Sequence, residues 1–169
     1  MTRFGKSGHH RDWYLRFTSK EDRTKSEVES PDEAWVSRPW TGIDGEVAWQ
    51  TPDGKLHRIG APAALRHDGT EEWWERGERH RIDGPATTHP SGYEAWYVNG
   101  VRHRVDGPAF SWPDGHQEWF QNGVRHRVDG PARTYSDGTL EWWEHGERKP
   151  PEVEAALTMV WRASNPTQP

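Results

Sequence analysis

Aromatic, glycine and proline residues recur along this chain with a period of 23 residues. The pattern is clearest as HRVDGPAFSWPDGHQEWFQNGVR at residues 103–125, and the same frame starts again at His57, His80 and His126. The constant columns hold Pro62, Pro85, Pro108 and Pro131; Gly77, Gly100, Gly123 and Gly146; and Trp73, Trp96, Trp119 and Trp142. A constant period with regular glycine and aromatic positions is typical of a repeat array.

Each repeat is predicted to contain two antiparallel strands. Hairpin turns are expected at Asn99-Gly100 and Asn122-Gly123, because both residues of such a pair accept positive φ. The units are too short for a helix between strands, which excludes parallel pairing. The sequence therefore predicts an all-β repeat fold: a single-layer, curved antiparallel sheet of 23-residue β-hairpins with a short C-terminal helix.

The two ends of the chain differ from the repeats, so three segments are expected. Residues 1–47 form a polar N-terminal segment with capping strands, including a strand at 13–17 and an exposed linker at 19–30. Residues 48–149 form the repeat array, which begins with a degenerate repeat at 48–58. Residues 150–169 form a capping helix and tail. One helical stripe there holds Val153, Ala156, Leu157, Val160 and Trp161.

The two aromatic columns of the repeats should lie on opposite faces of the sheet, because adjacent strand residues point in opposite directions. We expect the constant tryptophan column, with Trp96 and Trp119, to be the buried one. The neighbouring stripe of Trp74, Tyr97, Phe120 and Trp143 then faces outward. The C-terminal helix is too short to cover it, so the stripe, with Arg104 and Arg127 nearby, is the predicted partner-binding surface.

Composition shows what replaces an ordinary aliphatic core. Leu, Ile, Val and Phe together are 22 of 169 residues, but twelve tryptophans and a net charge of only −5 allow an aromatic-rich fold. The absence of cysteine excludes disulfides and thiolate metal sites. No apolar run is long enough for a membrane span, and the N-terminus lacks a signal-peptide core. A cytoplasmic location is expected, in the host cytoplasm or in the virion if a phage encodes the chain.

Histidine recurs at His57, His80, His103 and His126, which raises the question of a metal site. Two strands per repeat place successive histidines roughly 10 Å apart, too far to share one ion. We expect these side chains to bond to the backbone or to the Asp83, Asp106 and Asp129 column. No nucleophile–base set or phosphate loop is present in the sequence, so we expect no catalytic residues, metal or cofactor.

Arginine pairs such as Arg102/Arg104 lie beside the aromatic columns, and such a groove could bind single-stranded nucleic acid. Glutamates crowd the adjacent strand, and the chain is net acidic, so a salt-bridged sheet surface is favoured over phosphate or anionic-lipid binding. Nucleic acid is therefore an unfavoured partner.

The repeats resemble the MORN family, whose units are also 23-residue β-hairpins. The matching residues are Trp96-Tyr97, Asn99-Gly100, Arg102-His103, Gly107 and Asp114-Gly115, with a second set from Trp119 through Gly138. The likeness covers about residues 48–148. A family glycine is replaced by Arg81, Arg104 or Arg127, each followed by Asp-Gly-Pro-Ala. This variant is similar to MORN-like proteins of bacteria and their viruses, some of which are described as antitoxins.

The resemblance implies a scaffold or binding module. Tryptophan and arginine side chains often anchor protein interfaces. The leading hypothesis is a non-enzymatic protein-binding module, either antitoxin-like or an inhibitor of a defence system, in a bacterium or bacteriophage. One alternative is a structural component of a larger assembly such as a phage particle. The other is single-stranded nucleic-acid binding.

Overall fold

A computed structural model describes residues 36–42 and 45–166 of the chain. The strand predicted at 13–17 and the linker predicted at 19–30 lie outside these residues. Two strands, β1 (Arg38–Thr41) and β2 (Val47–Gln50), precede the repeats and pair antiparallel. Residues 48–58 make the bonds of a degenerate repeat that precedes the four regular ones, since Trp49 N–H donates to Ala63 O over 2.7 Å and Arg58 stacks on the Trp49 ring.

Each repeat contributes four two-residue strands. The first repeat has β3 (Ala64–Leu65), β4 (Glu71–Glu72), β5 (Trp74–Glu75) and β6 (Glu78–Arg79). The second has β7 (Thr87–Thr88), β8 (Glu94–Ala95), β9 (Tyr97–Val98) and β10 (Val101–Arg102). The third has β11 (Phe110–Ser111), β12 (Gln117–Glu118), β13 (Phe120–Gln121) and β14 (Val124–Arg125). The fourth has β15 (Arg133–Thr134), β16 (Leu140–Glu141), β17 (Trp143–Glu144) and β18 (Glu147–Arg148).

The first two strands of every repeat join β1 and β2 in a ten-stranded antiparallel sheet, in the order β1-β2-β3-β4-β7-β8-β11-β12-β15-β16. The last two strands of every repeat form a separate two-stranded hairpin. The all-β repeat fold of antiparallel hairpins with one short C-terminal helix is therefore confirmed. The structure adds that each repeat is divided between a sheet segment and a hairpin.

The division occurs at the constant tryptophan, where the chain changes its bonding partner. Trp73 N–H donates to Ala86 O beside the neighbouring sheet segment over 2.7 Å, whereas Trp73 O accepts from the His80 N–H, just after the last strand of its own hairpin, over 3.0 Å. Trp96 bonds in the same way to Ala109 and His103. A strand continuous through these positions would keep one partner on each edge, so the expected long strand is interrupted here.

Small residues form the interior next to the positions where the strands are interrupted. The alanines of the repeated Pro-Ala pairs are fully buried, and they are Ala63, Ala86, Ala109 and Ala132. Each is the acceptor for the backbone N–H of a tryptophan one repeat earlier. Their lack of a large side chain allows neighbouring repeats to approach closely.

The hairpin turns are those predicted from Asn-Gly. Asn99 and Gly100 have φ of 49° and 73°, and Asn122 and Gly123 have φ of 50° and 82°. Positive φ at both central positions matches the right-handed twist of the flanking strands. The prediction is confirmed at both turns.

The C-terminal helix, α1 (Pro151–Ser164), confirms the helix predicted for residues 152–162. The Glu154 carboxylate accepts the Trp142 backbone N–H over 3.0 Å, and the Trp142 indole donates to Thr158 over 2.9 Å. Glu154 thus replaces the alanine carbonyl that a further repeat would supply. The predicted contact stripe was wrong in part, because Val153, Ala156 and Val160 are exposed. These polar bonds turn Glu154 and Thr158 toward the last repeat.

Candidate functional site

One arginine of each repeat clamps a tryptophan. The Arg104 guanidinium lies over the Trp96 ring, with Cζ 4.0 Å from the ring centroid. Its Nε donates to Asp106 over 3.0 Å and its Nη1 donates to the Pro108 carbonyl over 3.3 Å. The same contacts are made by Arg81 on Trp73 and by Arg127 on Trp119. We call each set an arginine clamp.

The clamp explains the Asp-Gly-Pro-Ala sequence that follows each arginine. A Cβ added at Gly107 would lie 2.7 Å from Arg104 Cζ, closer than side chains approach. Glycine at this position therefore leaves room for the Arg104 guanidinium in its clamped position. The first clamp differs, because Arg58 coexists with Ala61 in the equivalent place. Gly60, at φ 75°, gives the backbone a different path there.

The histidine column bonds to the backbone of the next hairpin. Nδ1 of His103 accepts the Asn122 N–H over 3.1 Å, and Nδ1 of His126 accepts the His145 N–H over 3.1 Å. His57 and His80 accept in the same way. The prediction that these histidines bond to the backbone is confirmed, and Nδ1 of His80 also lies 2.8 Å from Asn99 Oδ1. Burial also lowers the pKa of His57 below its ordinary value.

One face of the sheet and hairpins carries a row of buried glutamates paired with arginines. Glu118 accepts from Arg125 Nη2 over 2.9 Å, and Glu141 lies 3.2 Å from Arg148 Nη1. Glu72 is paired with Arg79 in the same way. Because each of these arginines lies seven residues after its glutamate, the second strand of the sheet segment faces the return strand of the hairpin.

Two of these glutamates, Glu72 and Glu118, are held in the charged form. Burial works against the charge of Glu118, but bonds from His116 and Arg125 and the charge of Arg133 bring its pKa below the ordinary value. Glu72 is similar, since burial is outweighed by bonds from Arg79 and Arg66 and its pKa is lowered. Carboxylates and guanidiniums therefore neutralise one another along most of this face.

The centre of the same face is a ring cluster of Tyr93, Tyr97, Phe110, Trp112 and Phe120. Phe110 stacks on Trp112 at an interplanar angle of 18° and meets Tyr97 and Phe120 edge-on at 5.9 Å between centroids. The Arg102 guanidinium lies 4.5 Å from the Phe110 centroid and 5.2 Å from that of Phe120. Tyr93, Tyr97 and Trp112 remain half-exposed.

Burial raises the pKa of Tyr93 to about 12, with a further contribution from Tyr97. The phenol is therefore a neutral hydrogen-bonding group at physiological pH. Half-exposed rings, a neutral hydroxyl and a guanidinium therefore lie together on this surface.

The predicted partner-binding stripe needs correction at several positions. Phe120 is 5 % exposed and belongs to the buried core, whereas Trp74, Tyr97 and Trp143 are half-buried. Trp96 and Trp119, expected to be the buried column, are also half-buried. The break at each tryptophan removes the alternation of faces on which the prediction depended, so both columns share the packing.

Arg104 and Arg127 lie on the tryptophan column instead of beside Tyr97 and Phe120. The arginines at the predicted stripe are Arg79, Arg102 and Arg125.

Sequence reasoning also missed Tyr93, Phe110, Trp112 and Arg102 as parts of one site. The sequence does contain a signal for this site, because some of its positions depart from the repeat pattern. The positions equivalent to Phe110 hold Ala64, Thr87 and Arg133, and those equivalent to Ala95 hold Glu72, Glu118 and Glu141.

Residues 36–42 and 45–166 contain neither a metal-binding cluster nor a membrane-spanning helix. No group of three or more His, Asp or Glu side chains in these residues is arranged to hold a metal ion. In the same part of the chain, no helix combines the length and apolar character that a bilayer crossing requires.

Comparison with known proteins gives no family assignment. No protein-family model matches the chain, and a search of curated proteins finds no match either.

Proposed function

We propose that this chain is a non-enzymatic, MORN-like protein-binding module. The observation that supports it is the ring cluster with Arg102, where three large half-exposed rings adjoin one guanidinium. Tyrosine, tryptophan and arginine are the residues that most often anchor protein interfaces. An antitoxin-like protein or an inhibitor of a defence system, from a bacterium or bacteriophage, is the role that the resemblance suggests.

Charge pairing favours a protein partner over single-stranded nucleic acid. Stacking rings suit both, but nucleic acid also requires a succession of available cations along its backbone. Arg79, Arg125 and Arg148 are each paired with a buried glutamate of the same face. A protein surface needs no such succession.

The test measures whether partner affinity depends on the ring cluster. A partner is captured from host lysate, identified by mass spectrometry, purified and titrated against the wild-type chain and two variants. Trp112→Ala should weaken binding by about tenfold or more, as expected for an anchor residue. Trp40→Ala, at an exposed ring on β1, is the matched control and should bind as wild type. Unchanged binding by a folded Trp112→Ala protein would contradict the proposal.

A second candidate function, a structural component of a larger assembly, is favoured by a row of exposed aliphatic residues. The row holds one residue from each repeat frame: Ile59, Ile82, Val105 and Val128, which are 63 %, 69 %, 72 % and 78 % exposed. Regularly spaced exposed aliphatics mark contact surfaces. Light scattering should then show self-association that Val105→Lys with Val128→Lys abolishes, and a monomer at all concentrations would contradict this candidate.

A further inference from the structure

The arginine–glutamate pairing of the repeats is incomplete in the second repeat. Arg79, Arg125 and Arg148 each face the glutamate that precedes them by seven residues. Arg102 occupies the same position, but the residue seven places before it is Ala95. No ion pair joins Arg102 to a carboxylate among residues 36–42 and 45–166.

The missing glutamate is replaced by an aromatic ring. Ala95 is the register partner of Phe110, and the Phe110 ring lies on the same face of the sheet. A small residue at position 95 leaves room for that ring. The substitution therefore removes the internal acid and places a flat apolar surface under the Arg102 guanidinium.

The backbone keeps Arg102 in place even without an acidic partner. Its strand β10 pairs with β9, where Arg102 is opposite Tyr97, and its carbonyl accepts the Gly123 N–H over 2.9 Å. Stacking against Phe110 and Phe120 covers the apolar surface of the guanidinium, while the side chain remains exposed. Its N–H donors are thus available in a planar arrangement that matches a carboxylate.

We propose that Arg102 binds the carboxylate of an acidic side chain supplied by a protein partner, with an apolar neighbour of that side chain packing on Trp112 and Tyr93. This inference rests on the proposed protein-binding function and specifies its chemistry. The partner carboxylate supplies to Arg102 from outside the chain the acid that Glu118 supplies to Arg125 from within it. The remaining pairs are complete within the chain, so the second repeat is where an external acid fits.

The charge pattern selects a single carboxylate in preference to a phosphate chain. On either side of Arg102, the paired Glu72 and Glu118 are held ionised with lowered pKa values. Each of these carboxylates already neutralises the arginine of its own repeat, Arg79 or Arg125, so those cations are not available to successive phosphates on either side of Arg102. One acidic side chain surrounded by apolar groups needs only the Arg102 guanidinium.

The test uses the full-length chain, labelled with ¹⁵N, and a capped Leu-Glu-Leu tripeptide as the probe. The side-chain Nε–H signal of Arg102 and the indole N–H signal of Trp112 are followed by NMR. The Leu-Gln-Leu peptide is the neutral control. We expect the glutamate peptide to shift both signals and to bind about tenfold more tightly than the glutamine peptide, as a charge-assisted hydrogen bond predicts.

Matched variants separate a role of Arg102 from a general effect of charge. The Arg102→Gln variant should bind the glutamate peptide only as tightly as the glutamine peptide, as measured from the Trp112 indole N–H signal. Arg125→Gln should bind as wild type, because Glu118 remains paired with Arg133 and His116. Glu118→Gln should make the Nε–H signal of Arg125 respond as well, since it creates a second incomplete pair.

Equal binding of the two peptides, or an Arg102 signal that neither peptide moves, would overturn the inference. So would an oligothymidylate that shifts Arg102 with steep salt dependence, which would indicate nucleic acid. The proposed function is judged separately by the Trp112→Ala titration with the purified partner. If the glutamate peptide does not bind preferentially but the purified partner still depends on Trp112, the inference about Arg102 is wrong and the proposed function stands. If the glutamate peptide shifts the Arg102 signal but no partner depends on Trp112 for binding, the proposed function is wrong.

Discussion

Substitution of Gly107 by alanine tests whether the arginine clamp stabilises the repeat. The new Cβ would lie 2.7 Å from Cζ and 2.9 Å from Nε of Arg104, so the guanidinium must leave its site. Gly107 does not have positive φ, so the alanine backbone itself is unstrained and the effect reports on the clamp. The variant therefore separates side-chain contact from backbone conformation.

The expected magnitude follows from the three contacts of Arg104. The stack on Trp96 contributes about 0.5–1 kcal/mol and the charged bond to the Pro108 carbonyl about 1.5–3 kcal/mol. The pair with the exposed Asp106 is screened by solvent and adds little. Alanine offsets about 0.4–1 kcal/mol by restricting the unfolded chain. We expect a net loss of roughly 1–3.5 kcal/mol, which lowers Tm by about 2–14 °C in a chain of this size.

Urea unfolding and thermal melting of four proteins complete a double-mutant cycle: wild type, Gly107→Ala, Arg104→Ala and the double variant. Once Arg104 is absent, the Cβ at position 107 has no guanidinium to displace, so the second substitution should cost nothing or stabilise slightly. A Gly107→Ala protein that melts with wild type would show that the clamp rearranges without loss. Equal costs of Gly107→Ala with and without Arg104 would also refute the reasoning.

Three further predictions concern the core, the helix cap and pH. Phe120→Ala should lower the free energy of unfolding by about 3–5 kcal/mol in urea, because the ring is buried, whereas Val124→Ala at an exposed site should change it by less than about 0.5 kcal/mol. Glu154→Ala should lower it by about 2–3 kcal/mol, because Arg148 and a backbone N–H lose their acceptor, and Glu154→Gln should recover part of the loss. Because the pKa of His57 lies below 6.5 in the folded state, the unfolded chain binds more protons, and Tm should fall as pH decreases below 6.5. That pH dependence of Tm should be smaller in His57→Gln, and an unchanged pH profile would contradict the role given to His57.

The repeat, its turns and the terminal helix could be predicted because each depends on local rules. The period of 23 residues is visible in the sequence, and Asn99-Gly100 specifies a turn through the φ values its residues accept. Proline and acidic residues at the start of α1 likewise indicate a helix N-terminus. These features need no knowledge of what packs against them.

The orientation of the aromatic columns could not be predicted, because it depends on a break in the strand. Alternation places Trp96 and Tyr97 on opposite faces only while the strand is continuous. The change of bonding partner at Trp96 ends that alternation, and no spacing rule announces it. The stack of Arg104 on Trp96 is equally hidden, since the two residues are eight positions apart and both lie outside the strands.

The positions that are constant in the repeats are occupied by contacts within the chain. Arg104 is engaged by Trp96, Asp106 and Pro108, and His103 by the next turn. Side chains engaged in this way bind an external partner only by releasing an internal one, which costs free energy. Recognition is therefore cheapest at positions that break the repeat. Ala95 breaks it by deleting an acid, and the consequence is one guanidinium on a ring surface without its internal carboxylate.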